Sequence, residues 1–323
     1  MAELAVIIVS YNTKDLLRTC LESLCREVGS SDAHIMVVDN GSTDGSEAIV
    51  RKQFSRVQWV ENGKNLGFAA AINIGVKKSS GEYILFLNPD VTVLEGGLSK
   101  TLKYIHQHSE VGIVGCKILS PDGSVQQSAR ELPTLWTLFL ENSFLYKLLP
   151  HTGLLRNPWV TDVDREQEVD IVKGAFLVIR REALESVGGL DERFFLYSEE
   201  QDLCLRVKKA GWNVMYVPVP AIVHYEGGSS VPGKNSSKLM VYESEYKYFR
   251  KHYGTFYAKA ASAIMVGGLV TRIFVWFIVM SASLLRSGMR KQAKERVVSY
   301  WYALGRSVKV ILGIRLVDGP QVL

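Results

Sequence analysis

Three apolar runs in the first ninety residues, 4–9, 35–38 and 83–87, are almost unbroken, and each stops at a polar cluster. A strand covered on both faces reads this way, because neither face meets water. The clusters are Ser10-Tyr11-Asn12, then Asp39-Asn40-Gly41-Ser42-Thr43-Asp44, then Asn88-Pro89-Asp90. A fourth, Glu199-Glu200-Gln201-Asp202, follows the run 194–197. Between the runs the period is helical. Leu16, Leu17, Cys20, Leu21, Leu24 and Val28 share one face behind Thr13 as a candidate cap. Further helices are expected from Ser42 or Thr43 to about 54, over 69–77 and over 97–108. Strands alternating with helices of this length build a parallel α/β sheet with right-handed crossovers. Ligands of such sheets bind beyond the carboxyl ends of the strands. The acidic and amide clusters therefore suit a ligand carrying hydroxyls and a diphosphate.

Beyond the strand expected over 111–119 the pattern changes. Ser120-Pro121-Asp122-Gly123 is a turn, and 123–130 reads as a strand or arm. Residues 132–149 are rich in Leu, Phe, Trp and Tyr, and 151–168 reads as a loop. A buried strand is expected over 169–180 and a short helix over 181–187. A helix over 203–210 ends at Gly211, before a strand over 212–217.

At 323 residues the chain suits one large core plus an appendage. A net charge of +5 is too weak to argue for nucleic acid. The basic excess is concentrated late, with Arg286, Arg290, Lys291, Lys294 and Arg296 set against Glu295 alone. Cys20, Cys25, Cys116 and Cys204 have no metal-type spacing; Cys20, on the face of Leu16, Leu17, Leu21 and Leu24, is expected as a small buried residue, and the thiols as reduced. No basic head, apolar core and cleavage site opens the chain, and the body is expected on the cytoplasmic side.

An ordered set of motifs over roughly 4–230 resembles the family 2 glycosyltransferases of the GT-A fold, in particular the rhamnosyltransferase-like branch. The set comprises residues 37–44, Asn65-Leu66-Gly67-Phe68-Ala69, Asn73-Ile74-Gly75, Leu87-Asn88-Pro89-Asp90, Gly174-Ala175-Phe176, residues 188–195, residues 197–206 and Ala210-Gly211-Trp212. The resemblance implies a doubly wound mixed sheet, a catalytic domain over 1–257 and a helical C-terminal region over 258–323. It also implies inverting transfer from a dTDP- or UDP-sugar, rhamnose preferred, to a lipid-linked or polysaccharide hydroxyl in bacterial surface glycan synthesis.

The residues suit that chemistry. Asp39 can accept from the base or ribose, and Asp44 or Ser10, Tyr11 and Asn12 can complete a nucleoside cradle; equally, Asp39 and Asp44 can cap the next helix. Asn40, Gly67, Asn73 and Asn88 match family positions on the nucleotide side, although Gly67 can be a helix-entry glycine and Asn73 a satisfied helix residue. A departing diphosphate gains charge that a hard divalent cation, Mg²⁺ or Mn²⁺, neutralises. The resemblance gives Asp90 and His224 to that ion, with Asn88 replacing the first Asp of the family's Asp-X-Asp motif. An acceptor hydroxyl needs a base, and a carboxylate suits. The family position falls on Glu200, with Glu199 and Asp191 as rivals, and the adjacent Glu199 and Glu200 can instead simply begin the helix that carries Leu203 and Leu205. Gly174, Ala175 and Asp202 are expected on the acceptor side.

The stretch 260–285 is long enough for a bilayer, which needs about 20 residues. Arg272 at its midpoint costs roughly 2.5–3.5 kcal/mol there, and Gly267-Gly268 weakens a straight helix. A bent helix or helical pair seated in or on the membrane is therefore expected in preference to a clean span, with the basic run against anionic lipid. An oligomer interface is the competing use. A non-catalytic nucleotide-sugar-binding or scaffold protein is the competing function.

Overall fold

The structure, a computed structural model, describes residues 4–29, 31–143, 157–160, 162–225, 234–282, 293–301 and 304–305. In chain order the elements are β1 (Leu4–Ser10), α1 (Lys14–Val28), β2 (His34–Asp39), α2 (Ser46–Gln53), β3 (Val57–Glu61), α3 (Phe68–Lys78), β4 (Tyr83–Leu87) and β5 (Val91–Val93). Then come α4 (Gly97–Gln107), β6 (Val111–Leu119), β7 (Val125–Gln126), β8 (Ala129–Arg130), α5 (Leu135–Ser143), β9 (Gln167–Glu168), β10 (Ile171–Val172) and β11 (Phe176–Arg180). The remainder is α6 (Arg181–Ser186), α7 (Glu199–Lys209), β12 (Asn213–His224), α8 (Lys234–Tyr253) and α9 (Thr255–Ala282). Contacts divide the chain into two units, 1–132 with 158–230, and 133–157 with 231–323.

The first unit is built on a mixed sheet in the order β3-β2-β1-β4-β11-β6-β12-β5. β3, β2, β1 and β4 run parallel, as the alternating pattern predicts, whereas β11 is antiparallel to both β4 and β6. Alternation along β1 sends Leu4, Val6 and Ile8 to one layer with Leu17, Leu21 and Leu24 of α1. Ala5, Ile7 and Val9 go to the other, with Ala69, Ala71 and Ile72 of α3. Both faces are dry, which is why the run contains no polar residue. A Cβ on Gly75 would meet Ile7 Cγ2 at 2.6 Å, so α3 lies on β1 more closely than any other residue permits.

Several boundaries differ from the sequence expectation. Thr13 flanks α1 but its hydroxyl meets Ser10 Oγ at 3.1 Å and caps nothing. α2 begins at Ser46 behind Gly45, because Ser42 and Thr43 are drawn into neighbouring loops. The strand expected over 169–180 is two strands. β10 pairs with β8 in a separate small sheet, and Lys173-Gly174-Ala175 leads into β11. α7 starts at Glu199, four residues early, after Tyr197 and Ser198 with φ of 69° and 64°. β12 runs to His224, with register shifts around Pro220.

In the second unit, α9 is one unbroken helix through Gly267 and Gly268, where a bend was expected; 283–285 lie outside the described residues. Ala258, Ala261, Met265 and Leu269 form a buried stripe at helical spacing. Beyond Leu269 that burial ends, and Val270, Phe274, Val275, Phe277 and Ile278 are all exposed. Arg272 donates to Asn142 Oδ1 of α5 at 3.2 Å. Arg296 stacks on Trp276, 5.7 Å from the ring centre. By length and composition Thr255–Ser281 could cross a membrane.

Candidate active site

β1 and β2 end side by side, with Ser10 opposite Asp39, so their loops leave the sheet together. The two loops are laced. Asn12, at φ 52°, donates its N–H to Ser42 Oγ (2.8 Å) and accepts from Thr43 N (2.8 Å). Buried Asp39 accepts from Gly41 N and Ser42 N through Oδ2, and from Ser42 Oγ through Oδ1. Asp44 accepts from Lys14 N, Ser46 N and Ser46 Oγ. Burial pushes the Asp44 carboxyl up, but the bonds from Ser46 and Lys14 outweigh it and hold the group below its ordinary range. All six of these bonds come from the protein's own loops and helix starts, so both aspartates shape the cradle. Tyr11 is half-buried on the same loop. Asn40 adds a third loop, donating to Gly67 O (3.2 Å) and accepting from Asn62 Nδ2 (2.9 Å).

Gly67 and Asn73, expected on the nucleotide side, are fasteners here. A Cβ on Gly67, at φ 85°, would meet the Phe195 carbonyl oxygen at 2.5 Å, and Phe68 N donates to that same oxygen. Asn73 accepts from Leu190 N, and gives its amide hydrogens to Leu190 O and Glu192 Oε1. Together they hold α3 to segment 188–195, and both donor hydrogens of Asn73 are spent on protein.

Asn88 lies just beyond β4, its N–H on Ala175 O at 3.1 Å, so the entry to β11 sits against the exit of β4. Asp90 is 1% exposed, and its Oδ1 lies 3.4 Å from His224 Nε2 at the end of β12. The main chains are fixed by Tyr225 N on Asp90 O (3.0 Å) and by β12–β5 pairing of His224 with Val91. On the other side of the ring, Gln126 Nε2 donates to His224 O (2.8 Å) and Gln126 Oε1 meets His224 Nδ1 (3.1 Å). Nδ1 must carry a hydrogen there, since Oε1 has none to give. Nε2 then faces a carboxylate oxygen at a separation longer than the about 2.7–2.9 Å of a charge-assisted bond. A carboxylate oxygen and a ring-nitrogen lone pair so placed can share a cation between them. This donor pair suits a hard divalent ion of the kind held by one or two side chains and completed by substrate phosphates. Among the described residues no cluster of three or more His, Cys, Asp or Glu could hold a metal alone.

The carboxylates of α7 have unequal fates. Glu199 is 6% exposed and its Oε2 has no partner. Burial, and then the Glu200 charge, push its carboxyl well above the ordinary range. Glu200 is half-buried beside Gly174, whose added Cβ would come within 3.8 Å of Glu200 Cβ. Burial raises it too, with Lys173 and Arg130 near enough to pull the other way. Asp191 is clamped by Arg193 through Nε (2.9 Å) and Nη2 (2.5 Å). Asp202, expected on the acceptor side, is instead fully buried against Arg206 Nε (2.7 Å), whose Nη1 donates to Val187 O. The pair lies within α7, and it is Arg206, steadied by the Asp202 carboxylate, that ties the helix to Val187 in the turn before segment 188–195.

Gln126, Lys173 and Arg130 were absent from the sequence expectation. Lys173 was legible as the neighbour of Gly174. Gln126 stands on a two-residue strand and belongs to no motif. Cys20, Cys116 and Cys204 are buried and Cys25 is half-buried. All four are free, and burial raises the Cys20, Cys116 and Cys204 thiols, which makes them inert.

A family profile described as glycosyl transferase family 2 matches residues 5–188. The N-acetylglucosaminyl-diphospho-decaprenol L-rhamnosyltransferase of Mycobacterium tuberculosis is 30% identical over 305 residues, 89% of this chain and 96% of that protein. The rhamnosyltransferase WbbL of Escherichia coli is 26% identical, over 68% of this chain and 82% of its own length. Among solved structures, a mannosyltransferase from Pyrobaculum calidifontis in complex with GDP-Man and Mn²⁺ superposes at a TM-score of 0.58. That match has 17% identity and covers 97% of this chain and 88% of that one.

Proposed function

The chain belongs to glycosyl transferase family 2 and is a glycosyltransferase of the GT-A fold, and from that premise we propose that it moves rhamnose from a dTDP- or UDP-sugar to a hydroxyl of a lipid-linked or polysaccharide acceptor. The observation that carries this reading is the presence of two distinct carboxylate environments in the first unit, whose segments meet where Asn88 N–H bonds Ala175 O. Asp90 beside His224 suits the diphosphate end, and half-buried Glu200 beside Gly174 suits the acceptor end.

Mechanistically, the laced loops of Ser10–Asn12 and Asp39–Asp44 seat the nucleoside, with backbone amides and hydroxyls set by the two aspartates. Asp90 and His224 would hold Mg²⁺ or Mn²⁺, which when bound neutralises the charge that grows on the leaving diphosphate. Glu200 accepts the proton of the acceptor hydroxyl as that oxygen bonds the anomeric carbon and the bond to the diphosphate breaks. A raised carboxyl is a better base for this task than an ordinary one, because its proton affinity lies closer to the operating pH. Glu199, buried and pushed toward its neutral form, keeps a second negative charge away from Glu200. Inversion follows from attack opposite the leaving group.

The second unit supports work at a membrane. The exposed Phe274, Phe277 and Ile278 of α9 are apolar, Arg272 has Asn142 beside it, and Lys294 and Arg296 follow. Peripheral or partly inserted attachment at the cytoplasmic face of a bacterial inner membrane, in surface glycan synthesis, fits these features. A panel of nucleotide sugars with Mg²⁺ or Mn²⁺, read by protection against thermal unfolding and by transfer to a lipid-diphosphate sugar, tests the assignment. Protection by rhamnosyl nucleotides followed by transfer supports it; transfer of another sugar replaces the donor.

A further inference from the structure

We propose that Gln126 is a positioning residue for the candidate cation site, holding a hydrogen on Nδ1 of His224 so that the Nε2 lone pair stays aimed at Asp90. The inference rests on reading Asp90 and His224 as the cation-binding pair. β7 is two residues long, and pairing with β6 sets Gln126 opposite Ile118. From there its side chain makes two bonds to one residue, Nε2 to His224 O at 2.8 Å and Oε1 to His224 Nδ1 at 3.1 Å.

The orientation of the amide follows from chemistry. A backbone carbonyl accepts only, so the NH₂ must face it, and Oε1 is left for the ring. An accepting Oε1 makes a bond only with a protonated Nδ1. The backbone of His224 is already pinned by pairing with Val91. Rotation and tautomer of the ring are the freedoms that remain, and the two bonds of Gln126 remove both. Second partners of this kind orient a ligating histidine and commonly change metal affinity by about 10–100-fold when lost.

The test uses the purified full chain. Gln126→Leu removes both bonds at similar volume, whereas Gln126→Glu keeps an acceptor for the Nδ1 hydrogen. ¹⁵N spectra of the histidine rings, assigned with His224→Gln, report which nitrogen is protonated. Mn²⁺ titrations followed by electron paramagnetic resonance, with dTDP present, report affinity. The expected result is a protonated Nδ1 in the parent and in Gln126→Glu. In Gln126→Leu the proton moves toward Nε2 and Mn²⁺ binding weakens about 10–100-fold. Unchanged tautomer and affinity in Gln126→Leu overturn the role of Gln126 while leaving the cation site standing. A parent that takes up no Mn²⁺ removes the cation site, and the proposal with it. If Gln126→Leu does not fold, loss of the Nδ1 proton in Gln126→Glu overturns the idea and its retention supports it.

Discussion

His224 Nε2 faces Asp90 Oδ1 across 3.4 Å, inside the sheet edge where both residues are at most 5% exposed. This contact joins the segment after β4 to the last residue of β12, 134 positions apart in sequence. If a divalent ion is shared there with the diphosphate, Asp90→Asn loses charge without losing shape. Turnover should fall by about 10²-fold or more, the scale of removing one preorganised electrostatic stabiliser. Excess chelator should abolish transfer and Mg²⁺ or Mn²⁺ restore it, while the unfolding temperature of Asp90→Asn stays close to that of the parent. Full turnover in chelator removes the metal from the mechanism.

Glu199 should behave as a stability group. Its carboxyl is raised in the folded protein above the ordinary 4.5, so the folded state binds the proton more tightly than the unfolded state does. Below about pH 4.5 that preference is fully expressed, and it is lost as pH climbs through the raised folded value. Glu199→Gln should therefore raise the unfolding temperature at neutral pH and flatten its pH dependence between acid and neutral. Thermal scans at several pH values check this; a Gln variant less stable at pH 7 than the parent refutes the buried-acid account.

Much of this arrangement was legible in the sequence, for identifiable reasons. β1, β2 and β4 stood out because burial on both faces demands unbroken apolar runs, and their polar exits gather at one edge of the parallel strands. A strand over 212–217 was expected; β12 instead continues through Pro218 and Pro220, residues that ordinarily end a strand, with register shifts, and so delivers His224 to the edge. Asn73 and Asp202 looked like ligand residues because amide and carboxylate groups serve structural bonds, across the fold or within one helix, equally well. Which use applies depends on Leu190 and Arg206, and the Asn73–Leu190 contact spans 117 residues. Gln126 had no pattern to betray it, since its role comes from one contact made 98 residues later in sequence.

Asp202→Ala should act on folding. It strips the partner from Arg206 while leaving that guanidinium largely buried. Breaking a buried pair on one side costs about 3–5 kcal/mol. Urea unfolding should show that loss in midpoint with little change in slope. A variant of parental stability with selectively raised acceptor KM returns Asp202 to the acceptor side.

For the helical unit, sedimentation with phosphatidylglycerol vesicles should carry down the full chain, and raised salt should weaken the charge-dependent part. Phe274→Ser with Phe277→Ser and Ile278→Ser should release it into the supernatant, with transfer to a soluble acceptor retained. Equal recovery of parent and triple variant with vesicles contradicts an apolar membrane contact through this face.

The most direct measurement is single-turnover sugar transfer by Glu200→Gln, made alongside donor-binding titrations. Gln keeps the size of the side chain and removes its capacity to take a proton. The account predicts a fall in turnover of about 10²–10⁴-fold, with nucleotide-sugar affinity within a few-fold of the parent. The acid limb of the parent's pH profile should lie above the ordinary carboxylate range, because burial raises Glu200. Parental turnover in Glu200→Gln, or a loss confined to donor binding, would contradict it.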